Sequence, residues 1–236
     1  MSTGTAPQLE DRPRKSLAPG WHTAVLLLFL YGVPALLASY PIHFPEGPRS
    51  LKYLAEVFIQ LLFFLFVLFG VHLNGNGLRD LLGPRPKNWR EVGVTALWGL
   101  ALACLSIAIA YFISVVFGHF YKNEPPAIGP RNLVELLLFF GLSITTGFWE
   151  ELTFRGYLLK QIYYFNGNNI VFALLVQAAL FTIAHGLNQT AAGVADKMIF
   201  GLLLGWVTIL RKSLLPAIIA HGVGNALLGA IAFYLK

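Results

Sequence analysis

The sequence predicts an all-α protein, a polytopic transmembrane helix bundle of about seven spans. Three observations lead there. The chain is 56% hydrophobic and only 12% charged, whereas a soluble domain carries about 25% charged residues. Its apolar residues fall into runs about as long as a bilayer-spanning helix. Short polar stretches rich in Asn, Gly and Pro separate the runs, and none is large enough for a soluble domain of ordinary size.

The elements follow in order. Residues 1–20 are polar, contain Pro7, Pro13 and Pro19, and are expected to form a disordered tail. Arg12, Arg14 and Lys15 precede the first apolar run much as in a signal peptide. That run, residues 21–40, has spanning length and no clear small-residue cleavage site after it, so it reads as a first span with Pro34 as a kink point. The second span, 51–73, is dense in Phe and Leu, and Glu56 near its start is expected at the interface. Residues 74–77 are a turn, and 78–82 suit one amphipathic turn on the membrane surface. The third span is 92–117, with Trp98 and Tyr111 as interface anchors. A polar loop with Pro125 and Pro126 leads to residues 133–165, one helical stretch too long to stand upright in a bilayer. It must tilt, bend or lie partly in the interface. After a turn at 166–169 come a fifth span at 170–185, a sixth at 197–210 and a seventh at 214–235. Gly201 and Gly205 form a G-x-x-x-G pattern expected to serve close helix packing.

The formal charge of +6 resides in loops and tails, as topology signals do, which argues against nucleic acid and leaves the lipid bilayer as the implied partner. Basic residues concentrate in the tail, in the loop holding Arg79, Arg85, Lys87 and Arg90, and at Arg211 and Lys212. The positive-inside rule therefore predicts a cytoplasmic N-terminus and an external C-terminus. The single cysteine, Cys104, can form no intrachain disulfide and is expected as a buried small hydrophobe.

The chemistry concentrates in the stretch from Phe148 to Gly156, where Glu150, Glu151 and Arg155 follow an apolar run. A charge near a bilayer core costs about 2.5–3.5 kcal/mol or more, so groups held there pair, line a cavity or react. On a helix Glu151 and Arg155 are i,i+4 and can face each other, while Glu150 lies about 100° round the axis. A carboxylate with no local partner in an apolar setting is a candidate general base. The plain alternative is a Glu–Arg clip at the membrane interface. Phe181 and His185 on the fifth span, and His221 and Asn225 on the seventh, are further i,i+4 pairs. A lone intramembrane His ordinarily hydrogen-bonds between helices; two of them with two carboxylates and an asparagine in one half of the chain point to a site. His22, His43, His72 and His119 fall at span ends or loops and are expected at the interface. Glu150 and His185 lie about 16 and 17 residues from the turn at 166–169, roughly 25 Å each, and so at similar depth. His221 is only about 9 residues past the turn at 211–213, a poorer match that needs tilt, a bend or a staggered turn.

Taken in order, Glu150-Glu151-x-x-x-Arg155, Phe181-x-x-x-His185 and His221-x-x-x-Asn225 resemble the motifs of the CPBP family, the C-a-a-X prenyl endopeptidases and bacteriocin-processing (Abi) proteins. Gly156, Phe200, Gly201 and Gly205 fit the same pattern, and the resemblance covers residues 131–235. It implies a catalytic core at 131–236 behind N-terminal helices at 21–130, and an intramembrane glutamate-dependent endopeptidase. Glu150 would activate water with His185 assisting, His221 and Asn225 would hold the oxyanion, and Glu151 with Arg155 would support them. A set of Glu150, His185 and His221 could instead bind zinc or another divalent metal; the absence of H-E-x-x-H excludes an ordinary zincin. The implied substrate is a peptide or membrane protein, and a C-a-a-X substrate would need a prenylated cysteine. The implied location is a multi-pass membrane protein, in the plasma membrane if the host is bacterial. Two other classes compete: a non-proteolytic scaffold or immunity protein that keeps these residues for packing, and a proton-coupled transporter, against which the lack of internal repeats counts.

Overall fold

The structure, a computed structural model, describes residues 16–39, 48–117, 129–186 and 189–234. Most of the expected tail, His43, His119 and the loop with Pro125 and Pro126 lie outside these residues. Helix α1 covers residues 20–38 and contains a π-turn at Leu28–Gly32, which ends two residues before Pro34. Then come α2 (Arg49–Leu73), the short α3 (Leu78–Leu82) and α4 (Trp89–Val116). Helix α5 runs through Leu133–Phe165, followed by α6 (Ile170–Ala184), α7 (Ala191–Arg211) and α8 (Leu215–Tyr234). No strand occurs among the described residues.

Six of these helices are long and apolar enough to cross a membrane. The expected fifth span is shorter: α6 has 15 residues, about 22 Å against a hydrocarbon core of about 30 Å. The chain is an integral, multi-pass membrane protein, and much of its apolar surface faces outward. Leu54, Phe58, Leu61, Leu62 and Leu65 on α2, and Leu97, Leu100 and Phe112 on α4, are exposed side chains of the kind a bilayer covers. Cys104 belongs to that surface: it is exposed, not buried as expected, because this face of α4 has no helix packed on it.

Capping explains where two spans begin. Asn88 accepts a hydrogen bond from the Glu91 backbone N–H at 2.9 Å, and the Glu91 carboxylate accepts one from Lys87 N–H at 2.7 Å. Asn132 and Glu135 repeat the device at the start of α5. Each satisfies backbone donors that a helix start leaves without partners.

Helix α8 packs against both α4 and α5, α6 pairs with α7, and α2 lies along α5. Glycines permit the closest approaches. A Cβ on Gly147 would lie 2.6 Å from the Gly222 nitrogen, so α5 and α8 touch backbone to backbone. A Cβ on Gly201 would meet Ala178 at 3.0 Å, and one on Gly205 would meet Gln177 at 2.9 Å. The G-x-x-x-G pattern is thus the contact face of α7 on α6.

One feature of this packing sets the register of the site. Leu214 donates its N–H to Leu82 O at 2.9 Å, and a Cβ on Gly156 would meet its side chain at 3.3 Å. The turn before α8 therefore meets α5 at Gly156, about ten residues or roughly 15 Å short of the turn at 166–169. The staggered turn supplies the depth that counting from the sequence left missing, and it brings His221 level with Glu151. At the same end of the bundle Ser16 bonds Asn74, Leu17 and Ala18 bond Gln161, and Lys160 bonds Asp80 and Leu81. His22 is fully buried there, not interfacial as expected, because the short segment Leu17 to Pro19 is pinned against α5 and carries α1 inward.

Candidate functional site

The centre of the molecule is a second π-turn, Leu152–Leu158 within α5, and every residue of it is buried. Such turns widen a helix by one residue locally and re-aim the side chains around it. This one directly follows Glu150 and Glu151. It carries Arg155 into the core beside Leu152, Phe154 and Leu158, where the guanidinium has no access to solvent.

Glu151 and Arg155, expected to face each other, do so. Arg155 Nη1 donates to Glu151 Oε1 at 2.8 Å, and both side chains are fully buried. The guanidinium lies 4.2 Å over the ring of Phe181 and 5.9 Å from that of Phe200. This explains why a phenylalanine stands four residues before His185: it gives a buried cation an aromatic face, an interaction worth about 2 kcal/mol when desolvated. The Phe181 carbonyl also accepts from His185 Nδ1 at 2.8 Å. His221 Nδ1 bonds the same Glu151 oxygen, Oε1, at 2.8 Å. Glu151 is thus the hub that joins Arg155 on its own helix to His221 on α8.

Both imidazoles are fixed in the same sense. A carbonyl and a carboxylate can only accept, so each histidine donates from Nδ1 and, when neutral, keeps an acceptor at Nε2. Both Nε2 atoms face one oxygen: Glu150 Oε2 lies 3.9 Å from His185 Nε2 and 3.8 Å from His221 Nε2. Exposure falls from the mouth inward, with His185 at 30%, Glu150 at 19%, His221 at 6% and Glu151 at 0%. Of the two carboxylates, only Glu150 reaches solvent. Asn225, one helical turn beyond His221, is half-buried and makes no hydrogen bond among the described residues.

Helix α2 contributes residues that the sequence did not tie to the site. Gln60 Nε2 donates to Thr146 Oγ1 at 2.7 Å, one turn before Glu150. Glu56 interacts electrostatically with Glu150, and Phe63 packs on Trp149 with ring centroids 5.0 Å apart. The available signal was Glu56 and Gln60 at i,i+4 in a helix otherwise dense in Phe and Leu.

Among the described residues no group of three or more His, Cys, Asp or Glu side chains is arranged to hold a metal ion.

No curated protein and no solved structure matches the chain. Residues 132–227 do match a family, and every motif residue from Glu150 to Asn225 lies within them, in keeping with the CPBP resemblance. The family model matched over that segment is described as Type II CAAX prenyl endopeptidase Rce1-like, and the segment is similar to that family.

Proposed function

We propose that the protein is an intramembrane endopeptidase in which Glu150 is the general base, with residues 131–236 as its catalytic unit. The family match supports a membrane-embedded protease; the division of roles is our reading of the site. The observation that carries it is the convergence of two oriented imidazoles on one buried, unpartnered oxygen of a partly exposed carboxylate. Separations of 3.8 and 3.9 Å exceed a hydrogen bond, but one water lying off the line between two such atoms can bond both. A water held between Glu150 and His185 would lose its proton to Glu150 as it attacks the peptide carbonyl.

The carbonyl oxygen gains negative charge in that step. His221 is oriented to meet it: Glu151 holds its Nδ1, and Nε2 donates to the oxygen when it carries a proton. Asn225 supplies a neutral amide donor from the same face of α8. Glu150 then returns its proton to the leaving amine. Arg155 holds Glu151 and is itself held by Phe181. The substrate is a peptide or membrane protein presented in the bilayer, and a C-a-a-X peptide with its prenylated cysteine is the form the family name suggests.

The test is cleavage of a membrane-anchored peptide library by purified protein. Glu150→Gln keeps the shape of the side chain and removes the base. A loss of about 10²–10⁴ in rate is expected. Cleavage at the wild-type rate would return the carboxylate to a structural role.

A further inference from the structure

We infer a binding site for the phosphate of an anionic membrane lipid, at the end of the bundle where the basic turns gather and separate from the Glu150 mouth. A pocket of about 110 Å³ lies between α3, α5, α6, α7 and the turn that precedes α8. That is room for several waters, and so for a phosphate group with the first carbons of its esters, not for a whole lipid.

Three cations line it: Arg155, Lys160 and Lys212. Each has donor capacity left. Arg155 is fully buried, and its Nε and Nη2 have no hydrogen-bond partner among the described residues. Lys160 Nζ donates to Asp80 O at 2.6 Å and Leu81 O at 3.1 Å, which uses two of its three hydrogens. Lys212 stands exposed at the left-handed cap that ends α7. The Ser213 hydroxyl accepts from Leu215 N–H at 3.4 Å and keeps its own hydrogen to donate. The nearby acids are already committed: Asp80 caps Gly77 N–H at 2.9 Å, and Glu151 holds Arg155.

The rest of the lining is apolar, including Leu82, Leu159, Ile170 and Ile209. Cations at one point and aliphatic walls beside them match a phosphodiester with its acyl chains, and match a free anion less well. The location agrees, because basic residues beside a membrane face the leaflet whose anionic lipids attract them. The site does not depend on the proposed protease activity: it shares Arg155 with the Glu151 network, but Glu150, His185, His221 and Asn225 are not in its lining.

The test is thermal unfolding of the full chain in detergent, titrated with phosphatidylglycerol, with phosphatidylcholine, and with inorganic phosphate. Phosphatidylglycerol should raise Tm saturably, and the other two should not at equal concentration. Lys212→Gln, an exposed change, should weaken the apparent affinity for phosphatidylglycerol on the order of fivefold. Lys160→Gln should weaken it by a similar factor. Equal responses to both lipids, or full phosphatidylglycerol affinity in both variants, would overturn the site. Saturation by inorganic phosphate alone would make it a free-anion site and overturn the lipid assignment.

Discussion

Helix α5 carries two clusters of buried polar side chains within three turns of each other, and they are built in opposite ways. The later one is a closed chain of hydrogen bonds. His22 Nε2 meets the Phe66 carbonyl at 2.9 Å, so it donates there, and Nδ1 accepts from the Tyr157 hydroxyl at 2.9 Å. Tyr157 in turn accepts from Thr23 at 2.9 Å, Thr23 accepts from Gln161 Nε2 at 2.8 Å, and Gln161 Oε1 accepts from Leu17 N–H at 2.7 Å. One direction of donation satisfies every member, and none of these side chains has a buried atom without a partner. The earlier cluster is left open. Of eight buried side-chain atoms without a partner among the described residues, five belong to Glu150, Glu151, Thr153 and Arg155. The other three, on Gln60, Ser106 and Gln177, are scattered singly.

An unmet buried polar group costs about 1–3 kcal/mol. A fold that satisfies the His22 network fully, yet leaves five orphan atoms within six residues one turn away, is keeping donors and acceptors for something other than itself. Polarity in the membrane does not by itself mark function. The two clusters differ in whether their partners are already present.

Four results would break or sharpen this contrast. The largest effect is expected at Arg155. Arg155→Ala leaves Glu151 as a buried carboxylate with only His221 beside it, and breaking a buried pair costs about 3–5 kcal/mol. Both stability and cleavage should be lost; a variant that melts like wild type in detergent would mean the pair is solvated. Next is Asn225→Ala, which removes a donor acting on charge present only in the transition state. We expect kcat to fall about 10²–10³ with little change in KM, whereas a rise in KM alone would make Asn225 a substrate contact. In the closed network, Tyr157→Phe should lower unfolding stability by about 1–3 kcal/mol and leave cleavage per folded molecule unchanged. A selective loss of activity would put that network in the catalytic machinery. The smallest effect is expected from chelation: cleavage in the presence of a strong chelator should match the untreated protein. Inactivation that added zinc reverses would turn Glu150, His185 and His221 into ligands.

The sequence made some of this legible and hid the rest for physical reasons. Apolar runs located most long helices to within a few residues, because bilayer length is a strong constraint; α7 is the exception, starting at Ala191 and not at 197, because Thr190 caps it by accepting from Gly193 N–H. The spacing of Glu151 and Arg155, and of Gly201 and Gly205, gave their contacts correctly because i,i+4 geometry is local. Depth was not local. The placement of His221 depends on a turn that docks at Gly156, and that docking is made by Leu82 and Leu214 from two distant segments. His22 looked interfacial because its partners, Tyr157 and Phe66, lie far along the chain. The approach of Glu56 and Gln60 to the site was hidden in the same way, since it follows from how α2 lies along α5.

The contrast is tested most directly by one paired measurement: melting and cleavage of Glu150→Gln beside those of Tyr157→Phe. The account predicts that Glu150→Gln melts like wild type and cleaves about 10²–10⁴ times more slowly, while Tyr157→Phe cleaves like wild type and melts lower. A Glu150→Gln protein that cleaves at the wild-type rate, or one that loses activity only as far as it loses fold, would contradict it.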